Sequence, residues 1–261
     1  KAPTVVYKTV KVEEEVKESY CHSLDDYNYQ KVSQANANLR IGAEVAVSSI
    51  ISYVEWLDTT THYIFYYRDN YFWEDQAKDD KMTIESFYGV NPDRIKIIQI
   101  TSPSQFISDW NAMGSEDGES VNIGTVVLNT HANPQSAYLS TTDINELIPK
   151  EIDFMIMYGC NAGHLSNLND NPAAAFSKKV SGSTVLASDG TVYAYRSLWL
   201  FGSYIYESRN DDSYKEYCQA QDRDNQGWLA YEYQNENVVI TGDFDKKYYL
   251  KQMLIILEDQ K

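Results

Sequence analysis

The sequence predicts an α/β fold: a three-layer sandwich built on a mostly parallel sheet, with helices on both faces and a C-terminal β-hairpin extension. Three observations predict it. Apolar runs of strand length recur between residues 62 and 187, helical patterns separate them, and the runs are continuously apolar rather than alternating. A parallel return needs a crossover of a dozen or so residues, which a helix supplies. A strand loses its period-two alternation when both of its faces are buried, so helices are expected on each side of the sheet.

The elements follow in chain order. Residues 3–12 are rich in β-branched side chains and read as an extended arm or edge strand, within an N-terminal arm spanning 1–32. The main domain then covers 33–261, with its core at 62–195. Residues 33–57 carry Ala, Val and Ile at helical intervals and read mostly as helix. His62 to Tyr67 is the first buried strand. Residues 70–88 look helical and stop at Gly89, with Pro92 beyond. Arg94 to Ile100 is the second strand. Ser102 can cap a helix that has Pro103 at its first position and stops at Met113, before Gly114. Thr125 to Asn129 is the third strand, and residues 141–148 suggest a short helix opened by Thr142 or Asp143. Ile152 to Met157 is the fourth strand. Asn171 can cap a helix running from Pro172 to near Gly182, and Ser183 to Ala187 is the fifth strand. Residues 227–241 resemble a hairpin turning at Asn235, Glu236 and Asn237, and residues 247–258 read as a closing helix. The stretches 114–120 and 207–215 read as exposed loops.

Composition narrows the function classes. The 261 residues include 22 basic and 38 acidic side chains, a formal net charge of -16. Such a surface repels phosphate backbones, so no nucleic acid is expected as a partner. No run approaches the roughly 18–20 apolar residues of a membrane helix, so no membrane span is expected. The three cysteines, Cys21, Cys160 and Cys218, form no C-x-x-C pair, and an odd number leaves at least one thiol over. Cys21 and Cys218 could pair, which would leave Cys160. The chain begins at Lys1 without an apolar leader and reads as a processed, exported protein. Its 22 tyrosines suit an extracellular or cell-surface location.

Several motifs are excluded. No phosphate-binding G-x-x-x-x-G-K-[ST] loop occurs. A nucleophile elbow needs Gly two residues either side of the nucleophile, whereas Cys160 has Tyr158 and Ala162 there. Asp222 to Gly227 imitates the start of a calcium loop, but its twelfth position is Tyr233 rather than Glu. A surface turn is the simpler reading of that stretch, with calcium the one ion it could hold.

In open parallel sheets ligands bind beyond the carboxyl ends of the strands. His131 follows the third strand and Cys160 follows the fourth. Were these strands neighbours, the two Cα atoms would stand about 5–10 Å apart. A thiolate attacks carbonyl carbon strongly, and a nearby imidazole can favour the thiolate or shuttle a proton. The N–H groups of Ala132 and Cys160 could face a developing oxyanion. Gly159 permits a sharp turn, while the small residues Asn161, Ala162 and Gly163 leave room for substrate over the sulfur. His164 is a competing partner that more simply lines the cleft. Taken singly, such a Cys reads as an inert core thiol and such a His as a polar loop residue.

An apolar strand ending in His131-Ala132, then a second ending in Gly159-Cys160, resembles the caspase-like (clan CD) cysteine peptidases. The stretches Tyr158 to Gly163, Asn171 to Phe176 and Val185 to Gly190 look most like bacterial members such as clostripain, the gingipains and the self-processing protease domains of toxins. The similarity covers roughly residues 62–195. It implies a His131–Cys160 dyad that hydrolyses peptide bonds without a metal or organic cofactor in the chemistry. A peptide or protein substrate is the implied partner, and no oligomeric state follows. The family usually has Gly where Ala132 stands, followed here by Asn133-Pro134. In several such peptidases an acidic residue at the rim selects a basic side chain, which places Asp189 as a determinant of cleavage after Arg or Lys. Asp189-Gly190 is equally a favoured turn dipeptide. Two other readings stay open: a catalytically inactive caspase-like module that binds peptide or protein in the same cleft, and an adhesion domain using exposed aromatics.

Overall fold

The structure, a computed structural model of the chain, describes residues 59–248 apart from 69–70, 117, 168–169, 181, 197–203, 211–224 and 245–246. The described residues from Thr60 onward belong to one compact unit. The expectations for the arm, the 33–57 helix, Cys21, Cys218 and the start of the calcium-like loop lie outside the described residues.

Five strands run parallel at the centre: β1 (Thr60–Tyr67), β2 (Ile95–Ile100), β3 (Asn122–Asn129), β4 (Ile152–Met157) and β5 (Thr184–Ser188). A hairpin of β8 (Trp228–Gln234) and β9 (Asn237–Phe244) adds two antiparallel strands beside β5, giving the order β9-β8-β5-β4-β3-β1-β2. The hairpin turns at Asn235 and Glu236, both with positive φ, which a two-residue hairpin loop requires. The result is the predicted mostly parallel α/β sheet with its hairpin extension, consistent with a caspase-like sandwich.

Register places alternate side chains on two buried faces. Phe65, Leu128, Met157 and Ala187 stand opposite one another in successive strands, and so do Ile64, Val127, Ile156 and Leu186. The first face packs under α2 (Pro103–Ala112), α3 (Thr141–Asn145) and α4 (Pro172–Ser177), through Phe106, Trp110, Ile144 and Phe176. The second faces α1 (Tyr71–Tyr88), which lies against β1, β2 and β3. Trp73, Ala77, Asp80 and Ile84 are all buried, at helical spacing along one side of α1.

Local chemistry sets the helix starts. Ser102 accepts the Gln105 N–H and Asn171 accepts the Ala174 N–H, each with Pro at the next position. The helix expected over 141–148 is opened by Ser140 rather than by Thr142 or Asp143, in a reciprocal capping box with Asp143. It ends at Asn145, and α4 ends at Ser177, both shorter than the sequence suggests.

Residues 191–209 depart from expectation. Here β6 (Thr191–Arg196) and β7 (Tyr204–Arg209) pair antiparallel, and β10 (Lys247–Tyr248) joins β7 where the closing helix was expected to begin. The 207–215 stretch is therefore strand as far as Arg209, with Ser208 fully buried. Residues 115–116 and 119–120 also pair, and Glu116 accepts from Thr61 and Arg94 rather than hanging in solvent.

Candidate active site

Strands β3 and β4 are direct neighbours, with Leu128 opposite Met157. Their pairing extends past β4, since the Tyr158 N–H donates to the Leu128 carbonyl at 3.0 Å. His131 and Cys160 each lie three residues beyond that matched pair, at adjacent carboxyl ends of the sheet. The two loops abut at Ala132 and Gly159. A Cβ built on Gly159 would fall well inside 3.0 Å of the Ala132 Cβ. The methyl group after the histidine therefore fills the space that a side chain before the cysteine would take.

The loop carrying His131 is fastened from within. Thr130 Oγ1 donates to the His131 carbonyl at 2.8 Å. Asn133 Oδ1 accepts the N–H groups of Gln135 and Ser136, and Pro134 is buried. Asn133-Pro134 thus anchors the turn after the histidine. The exposed imidazole stands edge-on to Trp73, with ring centroids 5.2 Å apart, and to Tyr67 at 5.9 Å. These rings limit the directions in which the imidazole can swing.

Cys160 is half-buried and forms no disulfide. The first residues of β6 lie over its sulfur, where the Val192 N–H donates to Sγ at 3.4 Å. The thiol in turn donates toward the Val192 carbonyl, 3.9 Å away, so the backbone of one residue meets the sulfur from both sides. Asn161 takes the left-handed φ of 57° and donates its N–H to the Gly190 carbonyl, so the chain turns away directly after the cysteine. Its side chain is buried, with Oδ1 lacking a hydrogen-bond partner. Gly163 sits against the Tyr231 ring and Ala187, and Tyr231 donates to its carbonyl at 2.6 Å.

Two expected site residues occupy other places. His164 is fully buried and its Nδ1 accepts the Ser166 N–H, so it packs under the cysteine loop instead of lining a cleft. Asp189 is also fully buried. Its two carboxylate oxygens accept the N–H groups of Leu165 and Gln226, each at 2.9 Å. The carboxylate ties the loops after β4 and before β8 together, which is the turn-shaping role; it is not presented at a rim.

Beneath the dyad lies a buried polar group that sequence reasoning missed. Asp80 on α1 accepts from Asn129 Nδ2 at 2.7 Å and from the Tyr206 hydroxyl at 3.1 Å. The Tyr206 ring stacks on Tyr158, with centroids 3.5 Å apart and planes 12° from parallel. Burial pushes the Asp80 carboxyl up to about 7, with Asp79 adding to the rise and the two hydrogen bonds opposing it. Burial, with Asp80 close by, holds Tyr158 and Tyr206 well above the ordinary phenol range. The available signal was an acid at a core position in the Trp73-Ala77-Asp80-Ile84 stripe. Among the described residues, no group of three or more His, Cys, Asp or Glu side chains could hold a metal ion, and no helix is long and apolar enough to cross a membrane. The sequence matches no protein-family model, and no curated protein matches it.

Proposed function

We propose that the chain is a cysteine endopeptidase of the caspase-like kind, with Cys160 as nucleophile and His131 as general acid and base. The Ala132–Gly159 contact carries this reading, because it locks together the two loops that bear an imidazole and a thiol. His131 takes the thiol proton, and the Cys160 sulfur forms a bond to the scissile carbonyl carbon as the carbonyl electron pair moves to oxygen. The N–H groups of Ala132 and Cys160 are the donors for that oxyanion. Collapse breaks the C–N bond, and His131 gives its proton to the departing amine. His131 then takes a proton from water, whose oxygen attacks the thioester. The C–S bond breaks, the proton returns to sulfur, and the carboxylic acid product leaves. No metal or organic cofactor takes part in these steps, and the substrate is a peptide or protein.

The fully occupied Asp189 carboxylate gives no support to a preference for Arg or Lys, so the residue before the cut bond is best found empirically. Digestion of a mixed peptide library tests the proposal. Cleavage is expected with wild type and lost with Cys160→Ala. Cleavage that survives the substitution overturns it.

A further inference from the structure

We propose that Asp80 is a positioning residue of the His131–Cys160 site, acting from the underside of the sheet. The inference rests on the peptidase reading but concerns the geometry of the thiol, which can be measured without turnover. Asp80 is the meeting point of three elements that lead to the site. Through Asn129 it grips β3 two residues before His131. Through Tyr206 it grips β7, and the Tyr206 ring lies flat on Tyr158, two residues before Cys160. Next along β7, Ser208 stands opposite Val192 in β6, the residue whose backbone N–H points at the Cys160 sulfur. A shift of Asp80 therefore moves the histidine strand and the backbone donor on the sulfur together.

The chemistry of the contact fits that task. Both partners donate to the carboxylate, and the carboxylate has no competing water because it is fully buried. Hydrogen bonds to a charged acceptor are roughly twice as strong as neutral ones. The groups facing Asp80 are Asp79 on its own helix, Asn129 on β3, Tyr158 on β4 and Tyr206 on β7. Among the described residues, no basic group acts on Asp80. The ionised form thus holds both donors without a counter-charge, and loss of that charge near neutral pH loosens them. The same acid therefore sets how firmly β7, and with it Val192, is seated over the thiol.

The test is the rate of Cys160 alkylation by iodoacetamide from pH 5 to 9, read at Cys160 by peptide mapping, in wild type, Asp80→Asn and Tyr206→Phe. The wild-type profile should carry an inflection near neutral pH beyond that of the thiol itself. Asp80→Asn should remove it and change the plateau rate about fivefold, the effect of roughly one net hydrogen bond. Tyr206→Phe keeps the stacked ring and should reproduce the change in smaller measure. Folded variants with the wild-type profile overturn the proposal. Should Asp80→Asn fail to fold, Tyr206→Phe decides alone, and an unchanged profile there overturns it too. A changed profile in a protein that cleaves no peptide would sink the peptidase reading and leave this one standing.

Discussion

Ala132 and Gly159 meet with no room for a second methyl: the side chain absent from Gly159 is replaced by that of Ala132 on the facing loop. Gly159 has no left-handed φ, so the demand at this position is for space, not backbone freedom. Gly159→Ala should cost about 1–3 kcal/mol by overpacking and push the histidine loop away from the cysteine. Adding Ala132→Gly to the same chain should recover most of the loss. A double-mutant cycle by chemical denaturation checks this, and additive effects would show that the two methyls do not compete.

His62 is a second place where a side chain and a glycine share one space. Its ring fills the gap over Gly124, and Nδ1 accepts the Thr125 N–H at 3.0 Å where the β1–β3 register slips. Burial lowers its pKa from 6.5 to about 4. Because the folded value lies below the unfolded one, the unfolded chain takes up the proton first. Stability from this group is intact above pH 6.5 and is lost as pH falls toward 4, by about 3 kcal/mol in all. Asp80 acts oppositely. Its folded value is raised, so its contribution is present at low pH and fades as pH rises from about 4 to 7. His62→Asn, which keeps an acceptor near Nδ1, should lose less stability than wild type between pH 6.5 and 4. Asp80→Asn should gain on wild type as pH rises from about 4 to 7. Thermal melts from pH 4 to 7 separate the two, and parallel curves for wild type and variants would refute both assignments.

Asp189→Asn offers a third measurement. The carboxylate accepts two backbone N–H groups in a fully buried site. An amide presents an N–H group to one of those donors, leaving it unsatisfied at a cost of about 1–3 kcal/mol. The melting temperature should drop, while any residual peptide cleavage should keep its residue preference. Altered preference without loss of stability would restore Asp189 to the substrate pocket.

Much of this was legible in the sequence. Strands such as Ile152–Met157 are continuous apolar runs, and Ser102-Pro103 and Asn171-Pro172 announce their helices chemically, so the parallel core and its order of elements followed. The placement of His131 and Cys160 just past the ends of two strands followed from the same runs, while the adjacency of those strands appears only in the sheet itself. What stayed hidden depends on contacts between distant segments. Strands β6 and β7 mix Tyr, Glu, Ser and Arg with apolar residues, and the Tyr206 contacts with Asp80 and Tyr158 that go with their pairing are not visible in either strand's own sequence. Asp189 and His164 are chemically apt for a cleft, and no local pattern reveals that Leu165, Ser166 and Gln226 present backbone donors to them. The Asp80 network joins residues separated by 49 and 126 positions, beyond the reach of any periodicity.

The dyad itself is tested most directly by a peptidyl chloromethyl ketone library at neutral pH, with the adduct located by mass spectrometry. Such reagents are displaced at carbon by an activated thiolate, with loss of chloride, and need the geometry of a working cysteine site. Wild type should carry one adduct, on Cys160, and His131→Ala should label far more slowly. Labelling of Cys160 that is equally fast without His131, or an adduct anywhere but Cys160, would contradict the assignment of these two residues as a catalytic pair.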